Sequence, residues 1–151
     1  MTTNSKPKLF TIGYATHTPA TLLDRLIANG VELLLDVREL PLSRRPGFSK
    51  LALAKAAEKR GVEYRHFKSL GVPSRLRKER KLGRLNGRAY LEAFRRILKE
   101  QPEVLADALG VVEEKRCCLL CLEQHPADCH RSVVVEELQQ MRRGGIEVVN
   151  L

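Results

Sequence analysis

Apolar residues along this chain occur in two patterns, short β-prone runs and longer stripes with the period of a helix. The runs predict five strands, at residues 9–14, 31–37, 62–67, 117–122 and 146–151. Helical patterns separate them, at residues 18–30, 49–61, 88–99 and 102–114, with a last helix that follows Cys129 and ends at Gly144. Strands connected by helices form right-handed crossovers. The pattern therefore predicts an α/β fold, with a mostly parallel sheet of about five strands between two layers of helices.

Residues with capping chemistry mark the ends of these helices. Thr18 followed by Pro19 is typical of a helix start, and Ser49 has the side chain of an N-cap. Gly30 and Gly61 are expected to end the first two helices, because glycine commonly terminates a helix.

The length of 151 residues suffices for one domain with its own core, so we expect a single domain over residues 1–151, with residues 1–7 disordered. No apolar run approaches the ~20 residues that span a bilayer, and the amino terminus lacks the apolar core of a signal peptide. We therefore expect a cytoplasmic location and no membrane contact.

The four cysteines cluster at positions 117, 118, 121 and 129, which favours free thiols over a disulfide framework.

The net charge is +9, from 27 basic against 18 acidic residues. This surplus favours an anionic partner, either an anionic small molecule or nucleic acid. The sequence does not define an oligomeric state.

The unusual polar residues follow the predicted strands. Parallel sheets bind ligands at the carboxyl ends of their strands, and all those ends meet at one edge. The residues expected at that edge are Gly13, Tyr14, Asp36, Arg38, His66 and Cys121. Their convergence predicts the functional site there.

The segment from Cys121 to Arg131 (CLEQHPADCHR) has the strongest chemical signal. A cysteine near a helix start and an arginine has a lowered thiol pKa, because amide dipoles and positive charge stabilise the thiolate. Cys121 and Cys129 are therefore candidate nucleophiles, and Arg131 with the first amides of the helix is a candidate anion site. The alternative is that these cysteines are small core residues, as we expect for Cys117 and Cys118.

Zinc is a second interpretation of the same segment, because Cys118, Cys121, Cys129 and His130 supply suitable ligands. Side chains alternate in a strand, so Cys118 and Cys121 should point to opposite faces of the sheet. We therefore expect no metal and no other cofactor.

Further candidates have a simpler structural alternative. Asp36 and His66, with Glu123 and His130 of the cysteine segment, are candidates for proton transfer. Asp36 and Arg38 are equally compatible with an internal ion pair that anchors a loop. In that loop and beside it lie the remaining candidate substrate contacts, Ser43, Arg44 and Phe48.

Residues 68–87 (KSLGVPSRLRKERKLGRLNG) have the pattern of a long basic loop. The segment begins directly after the strand that ends near His66, so it is expected to act as a lid over the predicted site. A solvated run of charges is the alternative.

Several short motifs together resemble the bacterial domain-of-unknown-function family four-eight-eight over nearly the whole chain. They are Thr11-Ile12-Gly13-Tyr14, Asp36-Val37-Arg38, Pro41 with Ser43-Arg44, Phe48, Tyr64 with His66, Leu70-Gly71, Cys121 with Glu123, and Cys129-His130-Arg131. The resemblance implies an α/β fold and no settled activity.

A more distant likeness is to rhodanese domains, which carry a similar Asp-Val-Arg after a buried strand and a catalytic cysteine in a loop ending Arg-Ser. It implies a rhodanese-like or related Rossmannoid fold, with Cys121 at the nucleophile's position and Arg131-Ser132 at the end of the loop. Ten residues separate Cys121 from Arg131, whereas loops of that class wrap one anion within about six. Thiosulfate or phosphoester chemistry is therefore not expected.

Three functions are compatible with the sequence. The favoured one is a cysteine-dependent transferase or hydrolase whose substrate is an anion, such as a nucleotide, nucleic acid or a phosphorylated or sulfur metabolite. The second is a nucleic-acid or nucleotide binding module without catalysis, using the basic segment 68–88. The third is a redox sensor that joins Cys121 to Cys129.

Overall fold

The computed structural model describes residues 6–122 and 129–151. Within them, five parallel strands form one sheet in the order β3-β2-β4-β1-β5. The strands are β1 Lys8–Gly13, β2 Leu33–Asp36, β3 Glu63–His66, β4 Cys117–Cys121 and β5 Glu147–Asn150. The prediction of a parallel α/β sheet is confirmed, and each strand lies inside or next to its predicted apolar run.

Six α-helices flank the sheet in the described part of the chain. They are α1 Pro19–Ala28, α2 Lys50–Lys59, α3 Ser74–Lys81, α4 Gly87–Lys99, α5 Pro102–Glu114 and α6 Arg131–Met141. The core has two parts, one on each face of the sheet. Leucines of α1 and α2 pack with Phe10 and Cys118 on one face, and residues of α4, α5 and α6 pack with Cys117 and Leu119 on the other.

Burial along the strands explains their order in the sheet. Every residue of β2 and β4 is buried, whereas β3 and β5 at the edges are only partly covered. Continuous runs such as LLLD and CCLLC need cover on both faces, which only central strands receive.

The two predicted N-caps behave differently. Thr18 forms a capping box with Thr21, in which each side chain accepts a hydrogen bond from the other residue's backbone N–H. Ser49 precedes α2 but makes no capping hydrogen bond with its side chain. Its hydroxyl instead accepts a hydrogen bond from the Ser43 backbone N–H at 3.0 Å and closes the preceding loop.

The basic segment 68–87 is not a loop, so this prediction is wrong. It contains a 3-10 turn, Lys68–Leu70, and the helix α3. The sequence of α3 has no apolar stripe that would predict a helix, because α3 lies on the surface and has no buried residue. Arginine, lysine and glutamate nevertheless have high helix propensity, and that signal indicates the helix better than hydrophobic periodicity does.

Two other expectations concern the ends and the surroundings of the chain. The predicted disorder of residues 1–7 falls largely on residues 1–5, which lie outside the described ranges, so it stays a prediction. Pro7 is described, and its carbonyl accepts a hydrogen bond from the Glu147 N–H at 3.0 Å. Among the described residues, none of the helices has the length and apolar character needed to cross a bilayer.

The 3-10 turn reaches the sheet edge through a close approach of two backbones. A Cβ added at Gly71 would lie 2.1 Å from the Glu39 backbone nitrogen. We expect Gly71→Ala to lower the free energy of unfolding by about 1–3 kcal/mol, because the segments must separate to admit the methyl group.

Urea denaturation measures this effect, and Gly110→Ala is the matched control. Gly110 lies in α5, and a Cβ there would meet nothing within 4 Å. The control should raise the free energy of unfolding by roughly 0.5–1 kcal/mol, since alanine favours a helix over glycine. Equal effects of both substitutions would contradict the close approach.

Candidate functional site

The carboxyl ends of the strands meet as the sequence predicts. Gly13 at the end of β1 lies opposite Cys121 at the end of β4, and Asp36 at the end of β2 lies opposite Leu120. The Tyr14 backbone N–H donates to the Cys121 carbonyl at 3.0 Å. The cysteine segment and the Asp-Val-Arg segment are therefore neighbours at one edge of the sheet.

Asp36 and Arg38 form a buried ion pair. The Arg38 Nη2 lies 2.6 Å from Asp36 Oδ2, and Nε lies 2.8 Å from Oδ1. Oδ1 also accepts the Arg38 backbone N–H at 3.1 Å, and the carboxylate is fully buried. The sequence was compatible with two interpretations of Asp36, an internal ion pair that anchors a loop and a role in proton transfer. The ion pair is present.

Tyr64 completes the coordination of Asp36. Its hydroxyl donates to Oδ2 at 2.5 Å. Burial, and then the Asp36 carboxylate, raise the pKa of Tyr64. Burial alone would lower the pKa of Arg38, but hydrogen bonds and the charge of Asp36 outweigh it and raise that pKa. Both Asp36 oxygens are thus occupied by donors that stay protonated at neutral pH.

Arg38 also connects the neighbouring aromatic residues. Its Nη1 donates to the Phe48 carbonyl at 2.7 Å and lies 3.4 Å from the Tyr14 hydroxyl. The rings of Tyr14 and Phe48 stack with centroids 4.6 Å apart. Three residues predicted to bind substrate therefore form one wall, of which Tyr14 and Arg38 line a cavity and Phe48 is buried behind them.

The arginine that acts in the following loop is Arg45 rather than Arg44. The Arg45 guanidinium donates to the backbone carbonyls of Tyr14, Ala15 and His17. Arg44 is exposed, and Ser43 accepts the Arg45 backbone N–H at 3.1 Å. Ser43 and Arg45 therefore shape the loop. A role for Arg44 in binding substrate stays a prediction.

His66 contacts the backbone of Arg38 at the same edge of the sheet. Its Nε2 is 2.6 Å from the Arg38 carbonyl oxygen, and because a carbonyl only accepts, His66 donates there. This contact fixes the backbone of the ion-paired segment. Its predicted part in proton transfer is untested.

Cys121 and Cys129 are joined in a disulfide, so the prediction of free thiols is wrong for this pair. The end of β4 and the start of α6 meet at the sheet edge and bring the two sulfurs together, although eight positions separate the residues. Cys117 and Cys118 are free and buried, as expected. Burial raises the pKa of Cys117 to about 12 and raises that of Cys118 further.

Arg131 lies beside the sulfur pair. It is fully buried, and its Nη1 is 3.2 Å from Cys121 Sγ. Its backbone N–H, at the first position of α6, points at Cys129 Sγ from 3.5 Å. A guanidinium and a helix amino terminus both stabilise negative charge on sulfur.

His130 also contacts the sulfur of Cys129. Its Nε2 lies 2.7 Å from the Val37 carbonyl and must carry the proton, so the neutral ring presents an unprotonated Nδ1 to Cys129 Sγ at 3.7 Å. Burial lowers the pKa of His130 to about 4, and Arg131 and Arg77 also act in this direction, against the Val37 carbonyl and Asp36. Phe94 packs edge-on against the ring.

Cys118 and Cys121 point to opposite faces of the sheet, as the sequence predicts. Cys118 packs in the cluster of α1 and α2, whereas Cys121 contacts Arg131 at the start of α6. Within residues 6–122 and 129–151, no three metal-ligating side chains form a cluster. Glu123 and His125 lie outside the described residues.

Two adjoining cavities open at this edge. The cysteine pocket, of about 190 Å³, is lined by Tyr14, Arg38, Glu39, Leu40, Leu42, Val72, Arg77, Tyr90, Cys121, Leu122 and His130. A larger cleft, of about 1030 Å³, lies between α3, α4 and the start of α6. Arg77 and Tyr90 line both cavities, so the two are neighbours.

The pocket therefore unites four predicted site residues, Tyr14, Arg38, Cys121 and His130. Sequence reasoning missed two others, Arg77 and Tyr90. Arg77 was part of the basic run but had no distinguishing signal within it. Tyr90 has the helical spacing of a core residue, and only the position of α4 brings it to the pocket.

Glu39 holds the basic helix α3 at this edge. Its carboxylate accepts hydrogen bonds from the Ser74 hydroxyl at 2.6 Å and from Arg77 Nη2 at 2.9 Å. Burial opposes ionisation, but the bonds from Ser74 and Arg77 outweigh it and lower the pKa of Glu39. An acidic residue next to Arg38 thus positions a helix rich in arginine.

Comparison with known proteins gives one result. A family model described as "Domain of unknown function DUF488" matches residues 18–138. No curated protein and no solved structure matches the chain.

Removing the charge of Asp36 should strongly destabilise the fold. We expect Asp36→Asn to lower the free energy of unfolding by about 3–5 kcal/mol, because it leaves the Arg38 charge buried without its counterion. Asp24→Asn is the control, since Asp24 pairs with Arg60 on the surface and its loss should cost about 1 kcal/mol or less. Similar losses in urea denaturation would contradict the buried role of Asp36.

His130 should make stability depend on pH. The folded pKa of His130 is about 4, below the ordinary value of 6.5, so between these values the unfolded chain binds the extra proton. Stability is therefore lost as pH falls from 6.5 towards 4, with a slope from this group of at most ~1.4 kcal/mol per pH unit. His130→Gln should flatten the wild-type curve in this window and run parallel to it above pH 7. Parallel curves throughout would contradict a buried, neutral His130.

Proposed function

The chain belongs to the DUF488 family, and we propose that it is an enzyme that acts on an anionic substrate through the thiolate of Cys121. The observation that carries this proposal is the contact between Cys121 Sγ and the buried Arg131 guanidinium, at 3.2 Å, beside a cavity that Cys121 lines. A sulfur next to a fixed positive charge favours the thiolate, which is the nucleophilic form.

The substrate's charge is inferred from the cationic groups around the cavity. Arg38 and Arg77 line it, and Arg131 contacts the lining residue Cys121. Among the described residues that line it, one has a carboxylate, Glu39. The net charge of +9 adds a favourable long-range field. These groups support an anion without distinguishing a phosphate from a sulfur oxyanion.

Cys129 is the partner thiol in this proposal. The disulfide with Cys121 is the oxidised form, and two electrons and two protons from a dithiol reductant convert it to two thiols. Only the reduced form offers the Cys121 thiolate to a substrate. A reducing compartment, such as the cytoplasm expected from the sequence, would keep the pair in that form.

The neutral His130 suits a role at Cys129 rather than at the substrate. Its unprotonated Nδ1 faces Cys129 Sγ and can accept a hydrogen bond from the reduced Cys129 thiol. The distant likeness to rhodanese domains expected from the sequence agrees with Cys121 as the nucleophile, since it places a cysteine at a strand end and an arginine at the following helix start.

Alkylation of the reduced protein tests the proposal. We expect iodoacetamide at pH 7 to modify Cys121 in the Cys129→Ser variant faster than it modifies a cysteine in an unstructured peptide, because Arg131 stabilises the thiolate. Mass mapping of peptides identifies the modified residue. Cys117 and Cys118 serve as internal controls, since both are buried and their pKa values are raised.

An anion should compete in the same experiment. Inorganic phosphate or sulfate is expected to slow the alkylation of Cys121, whereas chloride at equal ionic strength is not. Alkylation of Cys121 no faster than that of the peptide, together with no protection by either oxyanion, would reject the proposed function.

A further inference from the structure

The cleft between α3, α4 and α6 carries a concentration of arginine. We call it the basic cleft; its lining residues include Arg77, Arg80, Arg88 and Arg95, with Glu92 and Glu136. Its volume of about 1030 Å³ is several times the 190 Å³ of the cysteine pocket. A ligand that fills both is therefore much larger than the group that reaches the sulfur.

The four arginines differ in what they already bind. Arg77 pairs with Glu39, and Arg95 pairs with Glu136 and Glu137. Arg80 and Arg88 are exposed and form no salt bridge with a carboxylate in the part of the chain that the structure describes. Arg80 Nη1 donates to the Leu85 carbonyl at 3.2 Å, which leaves its charge unneutralised. The charges of both arginines are thus available to anionic groups of a ligand.

The cysteine pocket adds an apolar surface next to these charges. Leu40, Leu42 and Leu122 line it and are 49%, 71% and 47% exposed. Exposed leucines grouped around one cavity indicate contact with an apolar part of a ligand. Tyr90, which lines both cavities, offers a ring at their junction.

Single-stranded nucleic acid combines these two chemistries. Its phosphates match the arginines of the cleft, and its bases present flat apolar faces that can contact leucine and tyrosine. A duplex keeps its bases stacked inside, and inorganic polyphosphate has no apolar part. We propose that the basic cleft binds a single strand of nucleic acid and brings one nucleotide into the cysteine pocket. The second half of this inference rests on the proposed function, and the first half does not.

Fluorescence anisotropy with a labelled oligothymidylate or oligouridylate of about a dozen nucleotides tests the binding. The double variant Arg80→Glu/Arg88→Glu is expected to bind about tenfold or more weakly. It should also reduce the slope of log K against log salt by about 1.4, since each phosphate contact to a single strand contributes about 0.7.

Lys55→Glu/Lys59→Glu is the matched control. Both lysines are exposed on α2, which packs on the opposite face of the sheet, and the change in net charge is identical. This variant should bind within about twofold of wild type, because distant surface charges are screened. Circular dichroism verifies that both variants are folded. Absent binding, or equal loss in both variants, would overturn the inference.

The apolar rim has its own test. Leu40→Ser/Leu42→Ser should weaken oligonucleotide binding several-fold and leave the binding of inorganic polyphosphate unchanged. Polyphosphate that binds as tightly as the oligonucleotide, with no effect of the leucine variant on either, would show a general polyanion surface and overturn the assignment to nucleic acid.

Delivery of a nucleotide to the cysteine pocket is tested separately. The oligonucleotide should protect Cys121 of the reduced Cys129→Ser variant from iodoacetamide, and the same oligonucleotide annealed to its complementary strand should not. Binding is also measured with Cys121→Ser, because the basic cleft does not require the thiol. Binding without protection would overturn delivery; slow alkylation without nucleic acid would instead reject the proposed function.

Discussion

The buried ion pair between Asp36 and Arg38 organises the edge of the sheet on which the site depends. It connects β2 to the following loop, to β3 through Tyr64, and to β1 through Tyr14. Burying two charges costs several kcal/mol per ion, and only complete hydrogen bonding offsets that cost. Asp36 and Arg38 meet this condition with donors and acceptors from three elements, including the Phe48 carbonyl. The ion pair thereby holds Tyr14 and Arg38 in place at the cysteine pocket.

Two buried arginines at this edge have different roles because their surroundings differ. Arg38 is held by a carboxylate 2.6 Å away and serves mainly to fix the loop. Arg131 lies against Cys121 Sγ, where its charge acts on sulfur. Glu39, the residue after Arg38, uses its carboxylate to hold α3 beside the pocket. One short segment thus sets both the wall of the pocket and the position of the basic cleft.

Much of the fold follows from local pattern. The five apolar runs predict the strands because a central parallel strand needs cover on both faces, and β2 and β4 are buried throughout. The helix α3 escapes that reasoning because it contributes no buried residue. Arg45 rather than Arg44 organises its loop, since the choice between adjacent arginines depends on where the carbonyls of the β1–α1 connection lie.

The sequence by itself determined the strand–helix alternation and the edge at which polar residues collect, and it predicted Cys121, Cys129 and Arg131 as site residues. Side-chain period and strand polarity are sufficient for those conclusions. Only the tertiary structure decided that the two cysteines pair, that Asp36 is bound by Arg38 and Tyr64, and that two cavities lie side by side. These features depend on distances between elements far apart in the chain, which packing of the whole domain sets and no local pattern encodes.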